Sequence, residues 1–255
     1  MWDSHRFLNF VSNMLFLMTA VAVVFFLVQH YGLPRFLPLK TVYIQGMEAD
    51  RVEFKHINRE QIKKIVQHHV QGNFLSVDLV AVRDAFIGLP WVRDARVERS
   101  WPLALNIRLE EHQALAHWGS HALVNTYGEV FRVVSNVKMP VFTAPMEANS
   151  QEITRRYRHF NKVLAPLHQS IAEINLSSRH AWRLQLNTGT VLELGRYEVD
   201  KRLMRYVSVY NHSIAHLSQD KPLAYVDLRY TNGFAVYMPE AEKPLKGKNT
   251  LKKET

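Results

Sequence analysis

The N-terminal part of the chain carries one long, uninterrupted apolar run. No charged residue occurs within residues 7–29, and positions 14–28 are almost purely apolar. About 20 apolar residues in a helix cross the roughly 30 Å of hydrocarbon in a bilayer. The pattern therefore predicts a transmembrane helix over residues 13–31, preceded by a short segment at residues 1–12. No later stretch of the sequence reaches spanning length.

A cleaved signal peptide is the alternative interpretation of this run. Such a peptide has a short apolar core, followed by small residues of the Ala-x-Ala type at the cleavage site. The residues after Phe26 contain no such pattern, which favours an uncleaved anchor with most of the chain on one side of the membrane. Arg6 flanks one end of the run and Arg35 and Lys40 flank the other, so charge alone does not set the orientation.

The chain after the anchor begins with a strand pattern followed by a helix pattern. Residues 39–46, "LKTVYIQG", alternate apolar and polar side chains. Residues 58–72 place apolar side chains at helical spacing. Asn58 and Gln61 form the signature of a capping box, which marks the start of that helix.

A second helix and a hairpin follow. The helix begins at Ser76 or Asp78 and ends near Gly88. Residues 95–109 then alternate on both sides of Trp101-Pro102, which predicts two strands joined at that dipeptide.

The order β-α-α-β-β over residues 38–110 predicts a small α+β domain, with two helices on one face of a three-stranded sheet. Trp91 and Trp101 are expected to pack at the edges of this domain, because a buried indole removes a large apolar area from water.

Residues 111–239 predict a second, β-rich mixed domain with packed helices, so the soluble part is α+β throughout. Helical spacing occurs at residues 153–164 and 199–210. Strand patterns occur at residues 123–133, 182–194, 225–230 and 234–238. The Lys-rich residues 240–255 are predicted to be a disordered tail.

Composition and charge limit the classes of partner and chemistry that are expected. The 255 residues carry a formal net charge of +9 and no cysteine. The basic residues are scattered and form no stripe with interleaved aromatics, so nucleic acid is not an expected partner. The lack of cysteine excludes disulfide scaffolds, thiolate catalysis and cysteine-ligated zinc.

No motif for catalysis or metal binding is present. The sequence has no His-Glu-x-x-His, no Gly-x-Ser-x-Gly and no phosphate loop. His112 and His117 fall on opposite faces of a strand. Asp227 with Arg229 could be read as a catalytic pair, but the favoured interpretation is that both are charged strand residues and that Asp227 holds a turn or a neighbouring basic group. We therefore expect no catalytic residue, no cofactor and no metal.

A membrane-tethered protein without reactive groups is typically a connector, and its useful surface is then a sheet edge. A terminal strand at residues 234–238 would leave backbone N–H and C=O groups unpaired. A partner can add a strand there and gain main-chain hydrogen bonds together with side-chain pockets.

Several residue strings resemble the bacterial FtsQ/DivIB cell division family and its polypeptide-transport-associated (POTRA) domain. Their spacing is specific, with one departure: the family's proline between Glu111 and Ala114 is absent. The matching residues are Pro90-Trp91-Val92, Ala95, Val97, Arg99, Trp101-Pro102, Leu105, Ile107, Glu110, Ala116, Trp118, the "LGR" at 194–196 and the "VDLRYTNGFAV" at 226–236.

The resemblance implies a non-enzymatic scaffold of the division machinery. It implies a single-pass type II protein of the inner membrane, located at the septum, with a cytoplasmic N-terminus and a periplasmic bulk. The implied partners are FtsB and FtsL at the C-terminal strand, and FtsK and other division proteins elsewhere. The implied partner-binding residues are Arg196, Tyr230, Asn232, Gly233, Phe234, Ala235 and Val236.

Two other classes stay open at this point. A POTRA-bearing transport or outer-membrane assembly component would carry repeated POTRA units or a barrel. A membrane-tethered cell-wall hydrolase would need a nucleophile or metal site.

Overall fold

The N-terminal apolar run forms a single long helix. The computed structural model describes residues 4–31, 37–47, 54–210, 212, 223–231 and 233–238, so the predicted tail at 240–255 lies outside the described residues. Helix α1 covers Ser4–Tyr31, and its stretch His5–Leu27 is long and apolar enough to cross a membrane. No other helix among the described residues has that length and composition. At about 1.5 Å per residue, 23 residues span about 35 Å.

The chain divides into two units, residues 1–112 and 113–255. Besides α1, the first unit has the predicted order of strand, two helices and two strands. Its elements are β1 Thr41–Gly46, α2 Arg59–His69, α3 Leu79–Ile87, β2 Val92–Ser100 and β3 Ala104–Glu111. The sheet order is β1-β3-β2, with β1 parallel and β2 antiparallel to β3.

Local sequence signals fix both short helices. The Asn58 side chain accepts from the Glu60 N–H, and the Gln61 side chain accepts from the Asn58 N–H. Asp78 accepts from the N–H groups of Val80 and Ala81 and so begins α3. Each cap satisfies backbone donors that the first helical turn leaves unpaired.

The core of this unit lies between the helices and the sheet. Val82 and Phe86 from α3 are buried with Leu105, Ile107 and Leu109 from the central strand β3. Because these strand residues are two positions apart, they share one face of β3.

Trp91 and Trp101, which were both expected to pack at the domain edges, differ in their exposure. The Trp91 ring is half-buried and stacks on His56, with 3.7 Å between ring centroids. The expectation that Trp101 packs is wrong, because this side chain is 78% exposed. Trp101 lies in the turn beyond the last ladder pair, Ser100 with Ala104, and within the described part of the chain it meets only the edge of the Phe74 ring.

The second unit is built on a nine-stranded sheet. The strand order is β12-β11-β10-β9-β8-β7-β4-β5-β6. Its elements are β4 Ala114–Trp118, β5 Ala122–Asn125, β6 Val130–Phe131, β7 Val141–Thr143, α4 Ser150–Leu164, β8 Ile171–Leu176, β9 Trp182–Leu186, β10 Val191–Gly195, α5 Val199–Val209, β11 Tyr225–Asp227 and β12 Ala235–Tyr237.

Helices α4 and α5 supply the helical side of this core. Ile153 and Phe160 of α4 and Leu203 and Tyr206 of α5 are fully buried. The Tyr206 hydroxyl donates to the Gln169 side chain at 3.0 Å, and burial raises the pKa of Tyr206. The α+β prediction for the fold is thus confirmed.

The last two strands are shorter than their patterns predicted. The first ends at Asp227 rather than at residue 230, and the second covers Ala235–Tyr237 rather than residues 234–238. The side-chain bonds that end the first strand also shape the site described next.

Candidate partner-binding edge

Strand β12 lies at one end of the nine-stranded sheet. It pairs antiparallel with β11, and β11 pairs parallel with β10. Among the residues that the structure describes, no strand pairs with the other side of β12. The open edge expected for the terminal strand is therefore present in this part of the chain.

The hydrogen bonds of β11 set which backbone groups of β12 face outward. The Val191 N–H donates to the Ala224 carbonyl at 2.9 Å, and the Leu228 N–H donates to the Glu193 carbonyl at 3.0 Å. These bonds bracket Val226, whose own N–H and C=O therefore turn toward β10.

Because the backbone groups of successive strand residues point to opposite sides, the direction at Val226 determines the direction at its two neighbours. Tyr225 and Asp227 turn their backbone groups toward β12, where they face Tyr237 and Ala235. Between those partners, Val236 points its N–H and C=O away from the sheet. Val236 is the centre of the free ladder.

The side chains of β12 divide between core and solvent. Val236 and its neighbours Phe234 and Met238 pack against the core of the unit. Tyr237 is 62% exposed on the opposite face. An added strand would thus meet a backbone ladder with an aromatic ring beside it.

An ion pair ends β11 and starts the connection to β12. The Asp227 carboxylate accepts from the Arg229 backbone N–H at 3.0 Å and from the guanidinium at 2.7 Å. The hydrogen bond from the Arg229 guanidinium holds the pKa of Asp227 below its usual value. Asp227 thus holds both a turn and a neighbouring basic group, as expected from the sequence, although Arg229 lies beyond the end of β11.

Two arginines of α5 donate to carbonyl oxygens of this connection and of the neighbouring strand β10. Arg202 donates to the carbonyls of Leu194 at 2.6 Å and Arg229 at 3.0 Å. Arg205 donates to the carbonyls of Tyr230 at 2.9 Å and Gly233 at 3.3 Å.

These contacts leave the Tyr230 side chain 57% exposed. Asn232, also expected at the site, lies outside the described residues.

Arg196 follows β10 at the same end of the sheet. Parallel strands bring their carboxyl ends together, so Arg196 and Tyr230 leave the sheet side by side after β10 and β11. The guanidinium of Arg196 is 4.4 Å from the centre of the Tyr197 ring.

Gly195, just before it, has φ +69, and a Cβ there would lie 2.9 Å from a terminal nitrogen of Arg202. The positive φ favours glycine at this position, since other residues would be strained there, and a Cβ would also displace the end of the Arg202 side chain.

The structure brings the six described candidate residues to one corner of the sheet. Because β12 runs antiparallel to β11, Gly233, Phe234 and Ala235 enter at the end where Tyr230 leaves. The sequence analysis missed Arg202 and Arg205, which position this corner without belonging to the matched motif. The spacing of three residues along α5 placed them on one face, but it could not indicate their carbonyl partners.

The charged groups near this corner include an ion pair and an exposed arginine. Arg183 pairs with the buried Glu193 at 2.8 Å, while Arg196 is exposed. Within the described residues, no three His, Cys, Asp or Glu side chains form a group that could hold a metal ion.

Comparisons with protein families match both units. Residues 37–112 match the POTRA domain of FtsQ type, and residues 116–229 match the family described as cell division protein FtsQ/DivIB, C-terminal. The second match ends at residue 229, so Tyr230 and strand β12 lie after it.

Individual relatives are similar over most of their length. A cell division protein FtsQ of Nitrosospira multiformis is 44% identical over 235 residues, which cover 92% of this chain and 98% of the relative. FtsQ of Burkholderia pseudomallei is 36% identical over 92% of this chain and 94% of its own. FtsQ of Coxiella burnetii is 34% identical over 80% of this chain and 81% of its own.

Proposed function

Because the chain belongs to the FtsQ/DivIB family of bacterial cell division proteins, we propose that it is a non-enzymatic scaffold whose strand β12 receives a strand of FtsB. The observation that carries this proposal is the position of β12, which ends the sheet with the N–H and C=O of Val236 pointing outward. FtsB and FtsL would bind there together, and FtsK and other division proteins would be further partners.

A partner strand at this edge would gain two kinds of contact. Main-chain hydrogen bonds to the outward groups of β12 would supply affinity without demanding a particular sequence. Tyr230 and Tyr237 would add exposed aromatic area, which is the type of surface that dominates binding energy at interfaces.

Charge favours an acidic segment of the partner near the corner. Arg196 is exposed after β10, and Arg202 and Arg205 donate to carbonyl oxygens of the connection after β11, whereas Arg229 is paired with Asp227. An acidic residue of FtsB opposite Arg196 would form a charge-assisted hydrogen bond that fixes the register of the added strand.

The proposal includes an arrangement in the cell. Helix α1 would cross the inner membrane once, with a cytoplasmic N-terminus and both soluble units in the periplasm. The protein would gather at the septum and link early ring proteins to septal peptidoglycan synthesis. The cell division relatives favour this assignment over the transport alternative.

Co-purification of the full chain with FtsB tests the site. We expect Tyr230→Ala and Arg196→Glu each to lose FtsB, since truncating a hot-spot aromatic costs about 2 kcal/mol or more, roughly 30-fold in affinity. Tyr43→Ala and Arg155→Glu are the matched controls, because both residues are exposed and lie outside the corner. Normal retention of FtsB by both corner variants would reject the site.

A pair of proline variants tests strand addition itself in the same assay. Val236→Pro removes an outward donor, and proline is tolerated on an edge strand whose N–H faces solvent. We expect it to lose FtsB while the protein stays folded. Ala235→Pro removes the donor that faces Asp227 and should destabilise the β11–β12 pair instead. FtsB binding that survives Val236→Pro would argue against an added strand.

A further inference from the structure

The tip of the β2–β3 hairpin exposes apolar surface that the proposed function does not use. Trp101 is 78% exposed there, and Pro102 beside it is exposed as well. Leu75, in the loop before α3, is 53% exposed. These three residues are called the hairpin tip below. An indole carries a large apolar area, so its full exposure to water is unfavourable unless something covers it.

The hairpin tip lies where the chain enters the domain from the anchor. The Lys40 N–H donates to the Leu103 carbonyl at 2.9 Å, and the Phe74 N–H donates to the Leu37 carbonyl at 3.0 Å. The ring of Trp101 meets the ring of Phe74 edge-on, with 6.4 Å between centroids. The entering strand, the loop with Leu75 and the turn with Trp101 are therefore neighbours.

Arg99 fixes the loop against the hairpin. Its Nε donates to the Phe74 carbonyl at 2.7 Å, and its Nη2 donates to the carbonyls of Leu75 at 3.0 Å and Val77 at 2.9 Å. One side chain thus joins three carbonyl oxygens of the loop to β2. The exposed Leu75 and Trp101 are held on one rigid end of the domain.

The length of the tether keeps this end near the bilayer. The apolar stretch of α1 ends at Leu27 and the helix ends at Tyr31. From Tyr31 to Leu37 a trans chain reaches at most about 22 Å, whatever its conformation. The interfacial region adds several ångströms outside the hydrocarbon core. The hairpin tip is therefore within reach of the headgroups.

The charges around the tip suit a lipid surface. Among the described residues, Lys40 and Arg99 are cations near the tip, and both are exposed. Asp78 is the acid at the start of α3, and its carboxylate is engaged by the N–H groups of Val80 and Ala81. Tryptophan beside a basic residue is typical of side chains that lie at a membrane–water interface.

We infer that the hairpin tip docks into the interfacial layer of the bilayer that α1 crosses, with the Trp101 indole among lipid headgroups and upper acyl chains. Docking would hold the POTRA unit against the membrane at two points, the anchor and the tip. The inference requires that α1 spans the membrane, and it does not depend on how FtsB binds.

Indole fluorescence of the full chain in lipid nanodiscs tests the contact. The chain has five tryptophans, so the signal of Trp101 is taken as the difference between the wild-type protein and Trp101→Phe. We expect this difference emission to be blue-shifted and to be quenched by lipids brominated on the upper acyl chain. A difference emission characteristic of water, unaffected by brominated lipid, would overturn the inference.

A depth measurement with a single thiol provides the second test. Because the natural chain has no cysteine, Trp101→Cys and Lys55→Cys each create one labelling site. Lys55 is the matched control, since its N–H binds Glu111 at the far end of the eight-residue strand β3, about 25 Å from the tip. A spin label at position 101 should contact lipid and one at position 55 should contact water.

Equal water exposure of both labels would overturn the inference, including the case in which the tip serves a protein partner. Failure of α1 to span would be distinguishable, because the protein would then not incorporate into the nanodiscs.

Discussion

Two antiparallel strand pairs in this protein each carry an exposed aromatic ring next to a turn, and they are built in different ways. Strands β2 and β3 have nine and eight residues, and residues 101–103 join them. Strands β11 and β12 have three residues each, and residues 228–234 join them. The ladder and the buried core of the first unit hold the long pair. The short pair depends on arginine side chains of α5, a helix that is separate from it in sequence.

The difference explains what each pair can do. A long ladder over a buried face, together with the bond from the Lys40 N–H to the Leu103 carbonyl, keeps Trp101 on a fixed tip. The short pair leaves most of its backbone in a connection held by Asp227, Arg202 and Arg205. A short edge strand with an irregular approach is poor at pairing with unrelated chains. We propose that it serves as a template only for a matching partner strand.

The largest effect is expected from breaking the long pair at its core. Leu105 is fully buried in the central strand, so Leu105→Ala should lower the free energy of unfolding by about 2–5 kcal/mol. Chemical denaturation measures this change. Arg96→Ala, at an exposed position of the paired strand β2, is the control and should change stability by less than about 0.5 kcal/mol. A small effect for Leu105→Ala would contradict a core-held hairpin.

A smaller and local loss of stability is expected when the Arg205 hydrogen bonds to the connection between β11 and β12 are removed. Arg205→Ala removes the donor to the carbonyls of Tyr230 and Gly233, which should weaken FtsB binding and cost about 1 kcal/mol of local stability. Amide hydrogen exchange should accelerate in residues 230–237, with little change in the hairpin. Met204→Ala, which alters an exposed neighbour on the same helix, should leave exchange as it is. If exchange in Arg205→Ala were as unchanged as in Met204→Ala, Arg205 would not stabilise the connection between β11 and β12.

The smallest effect concerns the charge of Asp227. Its folded pKa is depressed by Arg229, so its stabilising contribution is present above the unfolded value of about 3.9 and is lost as the pH falls through the folded pKa. Asp227→Asn should therefore be less stable than the wild type at pH 7, and the difference should shrink toward pH 3. Thermal midpoints of both proteins across that range measure it. A gap independent of pH would mean that the carboxylate charge plays no part.

Local patterns predicted the first unit well. The Asn58–Gln61 capping box, the Asp78 cap and the alternation from residue 95 to residue 109 all depend on neighbours in sequence, and the structure has each of them. Trp101 was the error in this unit. Alternation gives the face of a side chain, but it does not tell whether another layer lies over the turn.

Long-range contacts limited the prediction of the second unit. β7 has only three residues, and its two neighbours in the sheet are parallel strands remote in sequence. The end of β11 at Asp227 depends on the bonds of Arg229 and on arginines of α5. The edge position of the last strand could be predicted, but the outward direction of Val236 needed the register between β10 and β11.

Arg202 and Arg205 bind the connection through carbonyl oxygens rather than carboxylates. A neutral acceptor restrains a guanidinium without cancelling its charge, so the same two residues stiffen the corner and contribute positive charge to it. An acidic segment of a partner would be drawn toward the corner before any contact forms, and added salt would slow that approach by screening the field. Rigidity and long-range attraction thus come from one pair of side chains.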